Sequence, residues 1–594
     1  MLDYQAPLRD MQFILEELAG LERIGELPGC EDASPDLVSA VLEEAGKFAA
    51  GVLAPLNPVG DQQGCRLEGE RVVTPEGWQA AYDQFREAGW IGLALPPEHG
   101  GLGLPKQVST PVWEMWFSAN MAFAMLPQLN VGQTEALTIA ASEAQKATWL
   151  DKIVSGEWAA TMNLTEPQAG SDLAATRMRA EPEGDDAYRL FGQKIFISYG
   201  EHELTPNIVH LVLAQLPDAP PGVKGLSLFL VPKYLLDERG EPGQRNEIRC
   251  IAIEHKMGIH GSPTCTLSYG DDGGALGYLV GEPHQGLATM FVMMNEARFN
   301  VGIQGLALGE RAYQAALAYA HERVQGRDIV SGEVGQPIIV HPDVKRMLVS
   351  MRARLMAMRG LLYSAAGWFD LARHHPEAEV ADKYRRYVDL LMPVAKGWCT
   401  EVGNDLCDEA IQVFGGMGFV EETGVAQLFR DARVITIYEG TTGIQANDLL
   451  GRKILREDAA TLRELIADIR ETADRLESDA KLGDLAQPLH DQATLLDESA
   501  DWLLAHKADT AVLYAGAVPL LHMLGIACGA WQMARLALAA EARRTTDDGD
   551  PDYLTGLSEL ARFYMATQAP QARAHGHTLR HAGAVLSRFS AREL

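Results

Sequence analysis

From Ala511 to Ala534 the chain contains no Asp, Glu, Lys or Arg. An uncharged run of that length belongs either inside a packed helical layer or inside a bilayer. Pro519, His522 and the glycines at 516, 525 and 529 argue against one straight membrane-crossing helix. The neighbouring sequence also needs an apolar core of its own. Leu462, Leu465, Ile466 and Ile469 fall at i, i+3, i+4 and i+7, one face of a helix. The stretch is therefore expected to be a buried central helix of a bundle, broken near Pro519, with no stable membrane insertion.

The rest of the chain changes its periodicity twice. Residues 1–157 read as helical, with turns at Pro96-Pro97 and at the glycine cluster 100–103, which lacks the G-x-G-x-x-G spacing of a dinucleotide loop. Residues 158–285 hold short β-rich runs, Tyr188–Leu190, Ile195–Ile197, Ile208–Leu213 and Leu226–Val231, separated by Gly, Pro and Asp. Long helices return over 286–450, interrupted by a loop from Gly326 to Pro342, and continue over 451–594. The acidic cluster Asp547-Asp548-Gly549-Asp550-Pro551 reads as a solvated loop. The expectation is a mainly α protein with a β-sandwich or barrel in the middle of the chain and four domains: 1–157, 158–285, 286–450 and 451–594. A chain of 594 residues is long enough for them.

A formal charge of −30 disfavours nucleic acid as a partner, because phosphate binding needs a basic footprint. Residues 451–594 carry 16 Lys and Arg against 21 Asp and Glu, so no basic face arises there either. The seven cysteines include no C-x-x-C pair, which indicates neither a metal site nor a disulfide framework and fits a reducing cytoplasm. The first residues show no apolar signal core, which points the same way.

Two segments carry chemistry. In Thr436–Gln445, Glu439 lies between apolar residues (Val434, Ile435, Ile437, Tyr438) and the small run Gly440-Thr441-Thr442-Gly443. Apolar neighbours raise a carboxyl's pKa and suit it to remove a proton from carbon. Glycine beyond it lets backbone N–H groups approach a substrate oxygen. Taken alone, a Glu-Gly pair there also reads as an ordinary turn. In Trp158–Asp172, a β-compatible run enters Thr165-Glu166-Pro167 and then Ala169-Gly170-Ser171, a turn able to offer N–H groups and hydroxyls to a planar or phosphorylated ligand.

Together these segments resemble the acyl-CoA dehydrogenase family. Further matches are Gly192–Ser198, His255–Pro263, Asn295–Arg298, His321–Arg323 and Gln412–Gly418, in the family's order over roughly 40–455. The extra C-terminal helical domain marks the large branch. The N-terminus, Leu2–Pro7 followed by Asp10–Phe13, is similar to bacterial large-form members, which include fatty acyl-CoA and 3-methylmercaptopropionyl-CoA dehydrogenases.

The resemblance implies FAD as cofactor. Met162, Leu164 and Thr165 would line the flavin, Gly170 and Ser171 would serve the pyrophosphate and thioester region, and Ser198 would supply a hydroxyl. Phe196 would form an aromatic wall, although by itself it reads as core packing. Arg323, Gln412, Gly415 and Gly416 would reach a neighbouring subunit's FAD, which implies a homodimer. Thr441 and the backbone of Gly443 would also touch the dinucleotide. Glu439 would take the Cα proton while hydride leaves Cβ for flavin. Its own N–H and a ribityl hydroxyl would hold the thioester oxygen, with Arg298, Tyr438 and Gly440 beside the substrate. Some members place the base on the helix of the N-E-A-R segment, but the matching position here is Ala297, and the adjacent Glu296 reads as a surface or capping charge.

The implied activity is oxidation of a saturated acyl-CoA to the trans-2-enoyl-CoA in fatty acid β-oxidation. Medium-to-long chains are the favoured substrates and electron-transferring flavoprotein the acceptor. 3-Methylmercaptopropionyl-CoA oxidation, an acyl-CoA oxidase and a non-catalytic binding protein are the alternatives.

Overall fold

The computed structural model describes residues 3–184, 187–546, 549–590 and 592. Asp547 and Asp548 of the acidic cluster lie outside the described residues. The chain divides into two compact units. One holds residues 47–104 and 119–297, the other residues 1–46, 105–118 and 298–594.

The first unit is built on an eight-stranded sheet. Its strands are β1 (Trp158–Asn163), β2 (Arg179–Gly184), β3 (Ala187–Ser198), β4 (Asn207–Gln215), β5 (Leu226–Pro232), β6 (Ile248–Ile253), β7 (Thr264–Tyr269) and β8 (Ala275–Val280). They lie in the order β6-β7-β3-β8-β5-β4-β1, and β2 pairs with β3 and β4. β1 runs parallel to β4, whereas the β4–β5, β5–β8, β8–β3, β3–β7 and β7–β6 pairs are antiparallel. β4 and β5 are apolar almost without alternation because both faces are covered. One face packs Leu211, Leu213, Leu228 and Leu230 against Trp149, Trp158 and Met293, and the other packs Val212, Phe229 and Val231 against Ile197, Leu267 and Tyr269.

The second unit is helical. Its long members are the Arg298–Glu322 part of α1 (Gly286–Glu322), then α2 (Pro342–His374) and α3 (Ala378–Phe414), followed by the short α4 (Thr442–Asp448) and by α5 (Ala517–Thr545). α1 and α3 meet backbone to backbone. A Cβ added at Gly305 would lie 2.4 Å from the Cys399 carbonyl oxygen, and one at Gly403 2.5 Å from that of Gly305. Larger side chains would push these helices apart.

The uncharged stretch is two helices, not one. A short helix, Thr510–Ala515, ends at Gly516, and α5 begins at Ala517. Pro519 sits in the first turn of α5, where its missing N–H has no helical partner to lose, so it starts the helix instead of breaking it. α5 is long and apolar enough to cross a membrane, and most of it is buried inside this unit, packed on α2, α3, α4 and the helices Pro551–Thr567 and Gln571–Leu586. His522 is half-buried and stacks on His575 with ring centroids 5.0 Å apart. The Leu462, Leu465, Ile466 and Ile469 stripe is buried on Ala460–Glu477, as its spacing requires. In the acidic cluster, Asp550 caps Pro551–Thr567, its carboxylate accepting from the Asp552 N–H at 3.0 Å, and it pairs with Arg9 at 3.1 Å.

Candidate active site

In the sheet unit, the end of β1 and the turn after it are pinned from beneath by one ion pair. The Glu166 carboxylate is buried under the turn. It accepts from Lys194 Nζ at 2.9 Å, the Arg177 N–H at 2.7 Å, the Met178 N–H at 3.1 Å and Gln168 Nε2 at 2.6 Å. Lys194 donates also to the Leu164 carbonyl at 2.9 Å, and the Ile195 N–H donates to the Thr165 carbonyl at 2.9 Å. Burial pushes the Glu166 carboxyl up, yet the Lys194 cation and the two N–H groups outweigh it and leave Glu166 below its ordinary value. Burial pulls the Lys194 ammonium down to about 8, against the pull of Glu166.

This frame turns the polar groups of the segment outward. Thr165 and Ser198 are half-buried, Gly170 and Ser171 are exposed, and no atom approaches the place of a Gly170 Cβ within 4 Å. Among the described residues the hydroxyls of Thr165, Ser171 and Ser198 make no hydrogen bond and remain available as donors and acceptors. Leu164 lies in the core, with Met162 packed against it. Phe196 is not core: it is 58% exposed and has φ 60°. The β3–β7 register slips between Cys265 and Leu267, so Phe196 sits at a bulge that turns its ring off the sheet. Outward hydroxyls, an exposed aromatic face and an open glycine make a donor set that fits the flat, polar-edged ring of a flavin.

In the helical unit the Glu439 segment forms a tight left-handed turn, with φ 54° at Glu439 and 90° at Gly440. A non-glycine residue in that conformation is strained, so the surroundings must hold it there. Two buried side chains do. Lys396 of α3 donates from Nζ to the Gly440 carbonyl at 2.7 Å, and Gln445 of α4 donates from Nε2 to the Glu439 carbonyl at 3.1 Å. Gln445 reaches in because residue 440 has no side chain; a Cβ there would lie 2.7 Å from that nitrogen. Tyr438 donates its hydroxyl to Gln304 Oε1 on α1, Thr442 donates to Glu401 on α3, and Thr441 Oγ1 accepts from the Ile444 N–H at 3.3 Å, capping α4. Gly443 lies in the first turn of α4.

Burial raises the Glu439 carboxyl above its ordinary value, and the cations of Arg298 and Lys396 offset part of that rise. Burial lowers the Arg298 guanidinium, which faces Asp448 and Glu439. The result is a carboxylate with raised basicity that faces two cations, a setting for proton abstraction. Sequence reasoning missed Lys396; its signal was a lone cation in the otherwise apolar run Leu390–Cys399. Glu296 is buried, which corrects its reading as a surface or capping charge.

Arg323 and the Gln412–Gly416 segment come together at one end of this unit. Tyr319 stacks on Phe414 with centroids 4.2 Å apart, which places the end of α1 beside that of α3. Gly415 has φ 61°, and nothing lies within 4 Å of a Cβ placed there or at Gly416. Arg323 is exposed, and so are the apolar Ile329, Val330, Met417 and Phe419, the last at 91%.

The chain matches four family descriptions: "Acyl-CoA dehydrogenase, N-terminal domain" at residues 38–157, the "middle domain" at 161–271, the "C-terminal domain" at 284–454, and "Acetyl-CoA dehydrogenase C-terminal like" at 465–589. It is 48% identical to a 3-methylmercaptopropionyl-CoA dehydrogenase of Ruegeria pomeroyi, over 95% of each chain. It is 35% identical to a broad-specificity linear acyl-CoA dehydrogenase of Mycobacterium tuberculosis, over 96% of each. Its fold is similar to an acyl-CoA dehydrogenase of Bacillus anthracis complexed with FAD, with TM-score 0.73 and 21% identity over 98% of this chain and 93% of the other.

Proposed function

The chain belongs to the acyl-CoA dehydrogenase family, and we propose that it oxidises the Cα–Cβ bond of a short acyl-CoA thioester with FAD, Glu439 being the base. The observation that carries this reading is the half-buried, strained Glu439, which faces the cations of Arg298 and Lys396 and whose pKa is raised by desolvation. Glu439 takes the Cα proton onto its carboxylate, and the substrate's Cβ hydrogen leaves as hydride, giving the trans-2-enoyl thioester. FAD, when bound, supplies the hydride acceptor. Thr165, Ser171 and Ser198 would hold its polar edges, with Phe196 against the ring. The Glu439 N–H would hold the thioester oxygen as it gains negative charge.

The relative from Ruegeria pomeroyi makes 3-methylmercaptopropionyl-CoA the first substrate to test. The relative from Mycobacterium tuberculosis, a broad-specificity linear acyl-CoA dehydrogenase, supports linear acyl-CoAs as the second reading, within which medium-to-long saturated chains are the ones proposed. Electron-transferring flavoprotein is proposed as the acceptor. Arg323, Gln412, Gly415 and Gly416, clustered beside exposed apolar residues, support a homodimer in which these groups serve a partner's FAD. The test is anaerobic mixing of the holoenzyme with 3-methylmercaptopropionyl-, butyryl-, octanoyl- and palmitoyl-CoA while flavin absorbance is followed. Bleaching with the first supports the reading, and bleaching with none of the four refutes it. Rapid reoxidation by oxygen alone would make the protein an oxidase.

A further inference from the structure

Lys396 is fully buried in α3, and its ammonium donates a hydrogen bond, 2.7 Å long, to the carbonyl of Gly440, the residue after the proposed base. An ammonium is costly to bury, and a side chain that only filled space in this apolar run would be Leu or Met. The cation is placed where it does two things at once. It fixes the Gly440–Thr441 peptide, while Gln445 fixes the Glu439–Gly440 peptide by donating to the Glu439 carbonyl at 3.1 Å. In a trans peptide the N–H opposes the C=O. Gripping two successive carbonyls therefore aims the N–H groups of Gly440 and Thr441 away from Lys396 and Gln445. It also locks Glu439 in the left-handed conformation that a glutamate would otherwise leave.

The amide orientation of Gln445 follows from its surroundings. The carbonyls of Glu439 and Gly440 lie 3.1 and 3.5 Å from the same atom, so that atom must be the nitrogen.

We propose that Lys396 is a positioning residue for this reaction, holding the Glu439 turn through Gly440 while its charge keeps the base ionised at working pH. The proposal rests on the reading of Glu439 as the base. The charged groups facing Lys396 are Glu439 on the turn, Glu401 five residues along α3, and Arg298 on α1. Arg298 itself faces the anion Asp448 and the like-charged Arg452, and His522 of α5 faces Glu401. Burial brings the lysine down to about 8. The sign follows from geometry: a cation beside a carboxylate favours its ionised form, so removing it raises the carboxylate's pKa.

The test compares Lys396→Gln, Lys396→Met and Glu439→Gln holoenzymes with wild type. The probe is whichever of 3-methylmercaptopropionyl-, butyryl- and octanoyl-CoA bleaches wild-type flavin fastest. Flavin-reduction rates are measured across pH, and FAD content and the flavin spectral shift on adding the enoyl-CoA product are measured separately. Gln keeps a donor for the Gly440 carbonyl and loses the charge. It should hold FAD and bind product within about threefold of wild type, while its acid limb moves up by about 1 pH unit. Met loses both, and its plateau rate should also fall about tenfold or more. An acid limb in Lys396→Gln that coincides with wild type, with Glu439→Gln inactive, overturns the lysine's role alone. Loss of FAD or of folding in both lysine variants assigns Lys396 to the fold and overturns it too. Wild-type reduction by Glu439→Gln overturns the base, and this inference with it.

Discussion

Lys194 and Glu166 pair inside the sheet unit, Nζ to Oε1 at 2.9 Å, with both side chains sealed from solvent. The lysine lies on β3 and the glutamate in the turn after β1, so one buried contact fixes the Leu164–Ala169 backbone against the sheet. The hydroxyl of Thr165 and the exposed Ser171 take their direction from that backbone.

Lys194→Met should leave the Glu166 carboxylate buried without its cation. Breaking such a pair from one side costs about 3–5 kcal/mol. A large drop in apo-protein melting temperature is expected, with weaker FAD retention on gel filtration. A variant that melts like wild type would remove the pair from this role.

Flavin reduction should fall as pH drops, because Glu439 works as the carboxylate and its pKa is raised by burial. The apparent pKa of the acid limb should lie above the ordinary glutamate value of about 4.3. Single-turnover rates from pH 5 upward check this, and a limb at or below that value would contradict the burial argument.

Met417→Asp with Phe419→Asp places two charges on exposed apolar residues directly after Gly415, at the end that carries Arg323. If this end seats a second subunit, sedimentation should show monomer where wild type is dimer, and FAD content should fall with it. An unchanged dimer would put the interface elsewhere.

Gly525→Ala tests the packing of α5. Its Cβ would lie 2.2 Å from the Trp398 ring, which cannot flex aside. A destabilisation of about 1–3 kcal/mol is expected from overpacking, read as a lower melting temperature in detergent-free buffer. An unchanged melting temperature together with liposome binding would point to a membrane-docking helix.

Sequence pattern carried much of this structure. The short β-rich runs became β3–β5, because β-formers bounded by Gly, Pro and Asp mark strands even where both faces are covered. The 462–469 stripe became a buried helix face, because burial on one face leaves a helical repeat in the chain. The apolar-to-glycine switch at Glu439 was legible as well, since low solvation and a tight turn both have compositional signatures. Three features were not. Pro519 read as a break and proved to be a first-turn residue, a distinction that depends on where the helix begins. The exposure of Phe196 comes from a one-residue bulge set by a partner strand, which local sequence does not encode. Lys396 acts across 44 positions on Gly440; a lone lysine in an apolar helix shows that it needs a partner, never which one.

The central claim is that Glu439 is the base, and Glu439→Gln tests it most directly. The glutamine keeps the shape of the side chain and loses its basicity, so chemistry is separated from folding. The purified variant, loaded with FAD, should bind acyl-CoA with a wild-type spectral shift. On anaerobic mixing its flavin should stay oxidised, with the reduction rate down by about 10²–10⁴-fold or more. Bleaching of the variant's flavin at a rate near that of wild type would contradict the account.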